Sequence, residues 1–342
     1  MAKEYGRRAR SFLITGAVIG AVGYTLLRSY RRMDFNGKTV VISGASRGLG
    51  LELARGFASE GSDVALLARD QLELARAAKE LRRYGTRITP VGCDITQQQQ
   101  VHEAIAKIIR DHGKIDVLVN DAGIIQVGPV ENMELEDYQS AMDVHFWGPL
   151  YLIQEVIPHM RVRQQGRIVN IASIGGKVAV PHLLPYAASK FALVGLSEGL
   201  RAELLKDGIY VTTVCPGLMR TGSHLNAYFK GQHEKEYALF AIANASPLLS
   251  TTSNAAARKI IEACRYGKAE LVITPQAGLL RLANALFPGL MTESFALINR
   301  LLPRARAGEG DQLQRGADSG SAIAPSILTR AADRAAALNN EL

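Results

Sequence analysis

Hydrophobic and polar positions fall along the chain in stretches of different rhythm. Residues 11–27 (Ser-Phe-Leu-Ile-Thr-Gly-Ala-Val-Ile-Gly-Ala-Val-Gly-Tyr-Thr-Leu-Leu) carry no charge and have no polar face. From Gly37 onward, short apolar runs alternate with segments of helical period. The runs at 38–43, 63–68, 87–92, 115–119, 166–172, 209–214 and 271–274 read as buried strands, and helical spacing marks 97–112, 134–163 and 186–206. Leu49, Leu53, Ala54, Phe57 and Ala58 outline a further helix directly after the first strand. Regular βα alternation predicts an α/β fold, a doubly wound parallel sheet with helices on both faces. Farther on, apolar positions 279, 282, 283 and 286, then 291, 295, 298 and 302, are separated by Pro288-Gly289 and predict two short amphipathic helices. Residues 304–342 are rich in Gly, Ala and Ser with few large apolar groups, which predicts disorder apart from an Ala-rich turn near residues 329–338.

Composition changes this picture mainly at the N-terminus. The 342-residue chain has a net charge of +8, but Lys3, Arg7, Arg8, Arg10, Arg28, Arg31 and Arg32 against Glu4 put six of those charges in residues 1–33. The basic excess therefore flanks the apolar run, and a nucleic-acid-binding domain is not indicated. At about 1.5 Å per residue the run spans roughly 25 Å, enough to cross a bilayer when flanking arginines snorkel. A membrane anchor is the preferred reading over a signal peptide, because arginines follow where a small-residue cleavage site belongs. This gives an anchor at 1–33 with its helix at 11–27, a catalytic domain at 34–275, an amphipathic extension at 276–303 and a tail at 304–342. The catalytic domain is expected on the cytoplasmic side, and membrane lipid is an expected partner for the anchor and for the amphipathic helices. Cys93, Cys215 and Cys264 are dispersed and show no metal-ligand spacing, so reduced, buried thiols are expected and no metal.

Chemistry concentrates where strands end. Gly44-Ala-Ser-Arg-Gly48-Leu-Gly50 lies between a strand and a helix, the context in which a helix N-terminus receives phosphate. The second strand ends in Ala68-Arg69, without the carboxylate that would accept a ribose 2′-hydroxyl. Arg47 and Arg69 instead favour a 2′-phosphate, hence NADP(H) over NAD(H). Tyr186 and Lys190 stand four apart on one helical face, where an ammonium can lower the phenol pKa, and Ser173 follows a strand that leads into the same region. A phenol and a hydroxyl converging on one carbonyl suit the reduction of a ketone. Gly44, Asp94, Asn120, Ser173 and Pro216-Gly217 all lie just past predicted strand ends, the ligand-binding edge of an open parallel sheet.

Over roughly residues 36–275 these motifs resemble a short-chain dehydrogenase/reductase of the typical Rossmann-fold kind: Gly44-x-x-x-Gly48-x-Gly50, Asp94, Asn120-Asp-Ala-Gly123, Ser173 ahead of Tyr186-x-x-x-Lys190, and Pro216-Gly217 with Thr221. The resemblance implies Ser173, Tyr186 and Lys190 as the catalytic residues. It implies cofactor contacts at Gly44, Ser46, Arg47, Gly48, Leu49, Gly50, Arg69, Asp94, Asn120, Ala122, Gly123, Tyr186, Lys190, Pro216, Gly217 and Thr221. Two positions depart from the family pattern. Asp121 replaces the second Asn of Asn-Asn-Ala-Gly, and His145 stands where an Asn usually helps hold a water in the proton relay. An imidazole there either carries the relay with altered pH behaviour or is a packed helix histidine. The expected activity is interconversion of a carbonyl and an alcohol on a small hydrophobic substrate such as a lipid, steroid, retinoid or long-chain aldehyde. A nucleotide-binding sensor or scaffold without turnover is the alternative, and a sugar epimerase is disfavoured by the short C-terminal region. Assembly with a second copy of the chain is left open.

Overall fold

In the computed structural model, residues 29–321 and 323–341 are described. The predicted membrane helix at 11–27 lies outside them, and among the described residues no helix is long and apolar enough to cross a membrane.

Seven parallel strands form the central sheet: β1 (Thr39–Ser43), β2 (Asp63–Ala68), β3 (Ile88–Gly92), β4 (Val117–Asn120), β6 (Gly166–Ile171), β7 (Ile209–Cys215) and β11 (Glu270–Val272), in spatial order β3-β2-β1-β4-β6-β7-β11. The two-residue period of a strand divides its side chains between two cores. Val40, Ile42, Val64 and Leu66 face a layer holding Phe57, Leu74 and Ile260, whereas Val41, Ala65 and Leu67 face a layer holding Ile105, Ile108, Leu152 and Val156. The inner strands are thus covered on both sides, which is why they read as continuous apolar runs, whereas the edge strands β3 and β11 are only partly buried. The order reverses direction between β1 and β4, and the carboxyl ends of these two strands open a crevice. Together, sheet and flanking helices make the expected doubly wound Rossmann arrangement.

Helices α1 (Gly48–Ser59), α2 (Gln71–Leu81), α3 (Gln98–His112), α4 (Leu135–Met142), α5 (Gly148–Val162) and α6 (Leu184–Leu204) follow successive strands. The single helix expected over 134–163 is interrupted by one π-helical turn, Asp143–Trp147, that carries His145 between α4 and α5. Beyond β7, short strands β8 (Leu218–Arg220) and β10 (Ser250–Thr252) pair. A second small sheet joins β5 (Gln126–Val127), β9 (Tyr228–Phe229) and β12 (Gln314–Arg315) beside the crevice. Helices α7 (Ser223–Asn226), α8 (His233–Ala245) and α9 (Ser253–Arg265) complete this region.

Three expectations are corrected. The boundary at residue 33/34 cuts packed structure: Met33 is buried in the α1-side core, its N–H donates to Arg265 O at 2.9 Å, and Arg167 donates to Arg31 O at 2.6 Å. The strand foreseen over 271–274 is shorter, because Thr274 turns its hydroxyl to cap the next helix, α10 (Pro275–Leu286), by accepting from Ala277 N–H. Among its described residues the tail is folded where disorder is expected, and a helix stands where the Ala-rich turn is expected. Residues 304–321 pack beside the crevice, with Asn132 donating to Arg306 O and Asp311, and residues 330–338 form helix α12 (Arg330–Leu338). Large apolar side chains are few there, so burial of small ones does the packing: Ala324, Ala332 and Ala336 are enclosed, and a side chain at Gly222 would strike Ala336. Two short helices stand where the amphipathic pair is expected, α10 and α11 (Pro288–Asn299), with Leu279, Leu282, Leu286, Phe287, Leu290 and Leu297 exposed.

Candidate active site

A cavity of about 700 Å³ opens at the carboxyl edge of the sheet, bounded by the loops after β1, β2, β3, β4, β6 and β7. Its floor is set by a close backbone approach. Gly44 has φ +72°, and a Cβ there would stand 2.8 Å from the Ala122 backbone, so the β1 and β4 loops meet only because residue 44 has no side chain. The Ser43 hydroxyl ties them by accepting from Asp121 and Ala122 N–H at 3.2 and 3.3 Å. Gly48, φ +60°, begins α1 and turns backbone N–H toward the cavity at a helix N-terminus, where anions are stabilised.

The expected catalytic side chains converge on one wall. Ser173, at the end of β6, accepts from Gly175 N–H at 3.0 Å, which fixes its hydroxyl next to the Tyr186 phenol, with which it hydrogen-bonds. Tyr186 and Lys190 occupy successive turns of α6, begun by Pro185, whose fixed φ suits the first turn of a helix. Lys190 is buried and donates from Nζ to Ile171 O at 2.8 Å, with the Tyr186 ring centroid 5.7 Å away. Burial pulls the lysine down to about 8 and raises the phenol above its ordinary value. The sequence-based expectation of a lowered phenol is therefore corrected for this state: desolvation outweighs the hydrogen bond from Ser173, which acts the other way.

His145 is 1% exposed and its ring is fully committed. Ile124 N–H donates to Nε2 at 3.1 Å, which leaves the proton on Nδ1 to be donated to Ser189 Oγ at 2.7 Å. Ser189 in turn donates to Tyr186 O at 2.9 Å, and the imidazole stands edge-on to the Tyr186 ring at 5.4 Å. Burial, then the nearby Lys190, holds the imidazole well below its ordinary pKa. Of the two readings of this position, geometry favours the packed histidine. It braces the loop after β4 against α6 and does not titrate near neutrality. Asp121 is the second departure. Burial raises its carboxyl to about 7, and it interacts electrostatically with Lys190.

Gly44, Ser46, Arg47, Gly48, Leu49, Arg69, Asp94, Ala122, Gly123, Pro216, Gly217 and Thr221 all line the cavity. Gly50 and Asn120 do not. A Cβ at Gly50 would meet Gly44 O at 2.3 Å, so that glycine serves loop packing. Asn120 donates to Asn170 at 2.8 Å, and Asn170 donates to Ser197 on α6, a buried chain that fixes β4, β6 and the catalytic helix. Sequence reasoning missed Glu73, Asn226, Tyr228, Arg315 and Glu341, which also line the cavity. Glu73 comes from α2, where Asp70 caps the first turn, and accepts from Ser46 Oγ at 2.9 Å and Arg47 Nη1 at 2.6 Å. The end of β2 thus does have a carboxylate near it, delivered by the following helix.

Comparison with known proteins agrees with this geometry. The family model "short chain dehydrogenase" matches residues 38–228. Dehydrogenase/reductase SDR family member 7B of Danio rerio is 37% identical over 219 residues, 61% of this chain and 71% of that protein. Among solved structures, L-sorbose reductase of Gluconobacter frateurii, complexed with NADPH and L-sorbose, superposes with a TM-score of 0.64 at 27% identity. The match covers 70% of this chain and 97% of that one. NAD+-bound xylitol dehydrogenase superposes with a TM-score of 0.62 at 25% identity over 70% and 99% of the respective chains.

Proposed function

We propose that this chain, which belongs to the short-chain dehydrogenase/reductase family, prefers NADP(H) to NAD(H) and interconverts a carbonyl and an alcohol on a small hydrophobic substrate. Oxidoreduction of alcohol and carbonyl groups follows from the family. The observation that carries the reading is the convergence of Ser173, Tyr186 and Lys190 on a cavity whose other end is the glycine loop.

The residues fit a nicotinamide dinucleotide. Side-chain-free positions 44 and 48 admit close backbone approach, the first turn of α1 offers N–H groups to phosphate, and Arg47 and Arg69 supply guanidiniums near the end of β2. Nicotinamide, when bound, supplies or accepts the hydride. Tyr186 Oη gives the proton to the carbonyl oxygen in reduction and takes it back in oxidation. Ser173 Oγ hydrogen-bonds that same oxygen, and the Lys190 ammonium favours the phenolate through its charge. The preference for NADP(H) is supported by Ala68 in the place of a β2 carboxylate and by the Arg47 and Arg69 guanidiniums, against which Glu73, paired with Arg47, favours NAD(H).

Ile124, Ile125, Val144, Met219 and Tyr228 around the cavity support a hydrophobic substrate. The named neighbours that act on L-sorbose and xylitol make polyols the competing class. The basic-flanked run at 11–27 and the exposed apolar residues of α10 and α11 support attachment to a membrane, and the need for NADPH, most available in the cytosol, supports residues 34 onward on the cytoplasmic side. The test is a turnover screen of detergent-solubilised protein with NADPH and NADH against long-chain aldehydes, steroids, retinoids and sugars. Faster turnover with NADPH on apolar carbonyls is expected. Selective turnover of sugars, or a preference for NADH, contradicts the reading, and binding of nucleotide without any turnover supports a sensor instead.

A further inference from the structure

The chain's own C-terminal residues lie across the phosphate-binding end of the cavity. Gly48 N–H, the helix-start donor suited to a phosphate oxygen, donates to Asn339 O at 2.9 Å. Asn340 Nδ2 donates to Ser46 O at 2.8 Å and Glu73 O at 3.2 Å, and Arg76 Nε donates to Asn340 Oδ1 at 2.8 Å. Asn339 Nδ2 reaches Thr221 O at 3.1 Å. The Glu341 carboxylate pairs with Arg47 Nε at 3.4 Å and accepts from Asn226 Nδ2 at 2.7 Å. Its other oxygen lies 2.7 Å from where a Cβ of Gly48 would stand. Helix α12 delivers these residues, held by Arg55 donating to Leu338 O at 2.9 Å and by an Asp333–His224 contact of 3.1 Å.

A carboxylate over a helix-start glycine, beside an arginine, presents the charge and the acceptors of a phosphate. The same N–H and the same space above Gly48 cannot serve the pyrophosphate and the strap together. We infer that residues 339–341 are a built-in competitor for the phosphate end of the dinucleotide, so that cofactor binding requires this strap to leave the glycine loop. The inference rests on the dinucleotide reading of the cavity. A strap closing over bound cofactor would leave Gly48 N–H and Arg47 available, whereas here both are engaged by the tail.

The test compares NADPH binding by the full chain with a chain ending at residue 338, by nucleotide fluorescence and by calorimetry. A strap docked about nine-tenths of the time weakens apparent affinity about tenfold, so truncation should tighten binding by about that factor. The double variant Asn340→Ala/Glu341→Ala, checked for an unchanged melting curve, should do the same and guards against misfolding of the truncated chain. In hydrogen exchange of the full chain, adding NADPH should reduce protection of residues 330–341. Equal or weaker NADPH binding by the altered chains, or increased protection of 330–341, overturns the strap while leaving the dinucleotide reading intact. Failure of every chain to bind NADPH refutes that reading and the inference with it.

Discussion

His145→Asn separates a packed histidine from a titrating one. In the folded chain both ring nitrogens are hydrogen-bonded and burial holds the imidazole well below its ordinary value of 6.5, so the native state keeps it neutral. In the unfolded chain the ring protonates as pH falls through about 6.5. The unfolded state then binds more protons than the native state, and stability falls as pH falls; above about 6.5 the residue has no such effect. Each pH unit is worth about 1.4 kcal/mol, so from pH 6.5 to pH 5 this one group removes at most about 2 kcal/mol. Asparagine does not titrate and lacks this loss. At pH 7.5 the variant is expected to be less stable by about 1–3 kcal/mol, because the Ile124 N–H and Ser189 hydroxyl lose well-placed partners. Urea unfolding of both proteins at pH 7.5 and 5.0 reads the difference directly, and the depressed His112 and His224 cancel in it. The gap should narrow at pH 5, by at most about 2 kcal/mol. A gap independent of pH would refute the neutral, packed imidazole.

Glu73→Gln removes the carboxylate that pairs with Arg47 at 2.6 Å, leaving only its pair with Glu341, and takes an anion from the 2′-phosphate region, so the ratio of NADPH to NADH affinity should rise by about five- to tenfold in equilibrium binding. An unchanged ratio would mean that Arg47 does not reach the 2′-phosphate. A chain beginning at residue 29 should unfold in urea like the full-length domain, whereas one beginning at residue 35 should lose about 2–5 kcal/mol with the buried Met33. Equal midpoints for the two would show that the segment before residue 35 contributes nothing to the core.

Local pattern carried the central sheet because its inner strands are buried on both faces: the run at 63–68 and the observed β2 coincide. Tyr186 and Lys190 were legible because one helix fixes their spacing, and the glycine loop because a strand and a helix bracket it. Glu73 was not legible: it stands 27 residues beyond Ser46, and only the packing of α2 brings its carboxylate to the loop. Asn340 is 294 residues from Ser46, in a tail whose small side chains give no burial signal. Ala332 and Ala336 pack closely because they are small, so composition that reads as disorder here reads equally as tight helix docking. His145 was ambiguous for a different reason. A residue type does not disclose its tautomer, and the two partners that settle it, Ile124 N–H and Ser189 Oγ, come from separate elements.

The central claim is that the Tyr186 hydroxyl is the proton donor at this site. Tyr186→Phe keeps the ring against His145 and removes only the oxygen. The measurement is single-turnover oxidation of NADPH by a carbonyl substrate, with NADPH affinity determined on the same preparation. Retained affinity with a rate lowered by a factor of about 10² or more is the predicted result, and a rate near that of the unmodified protein would contradict it.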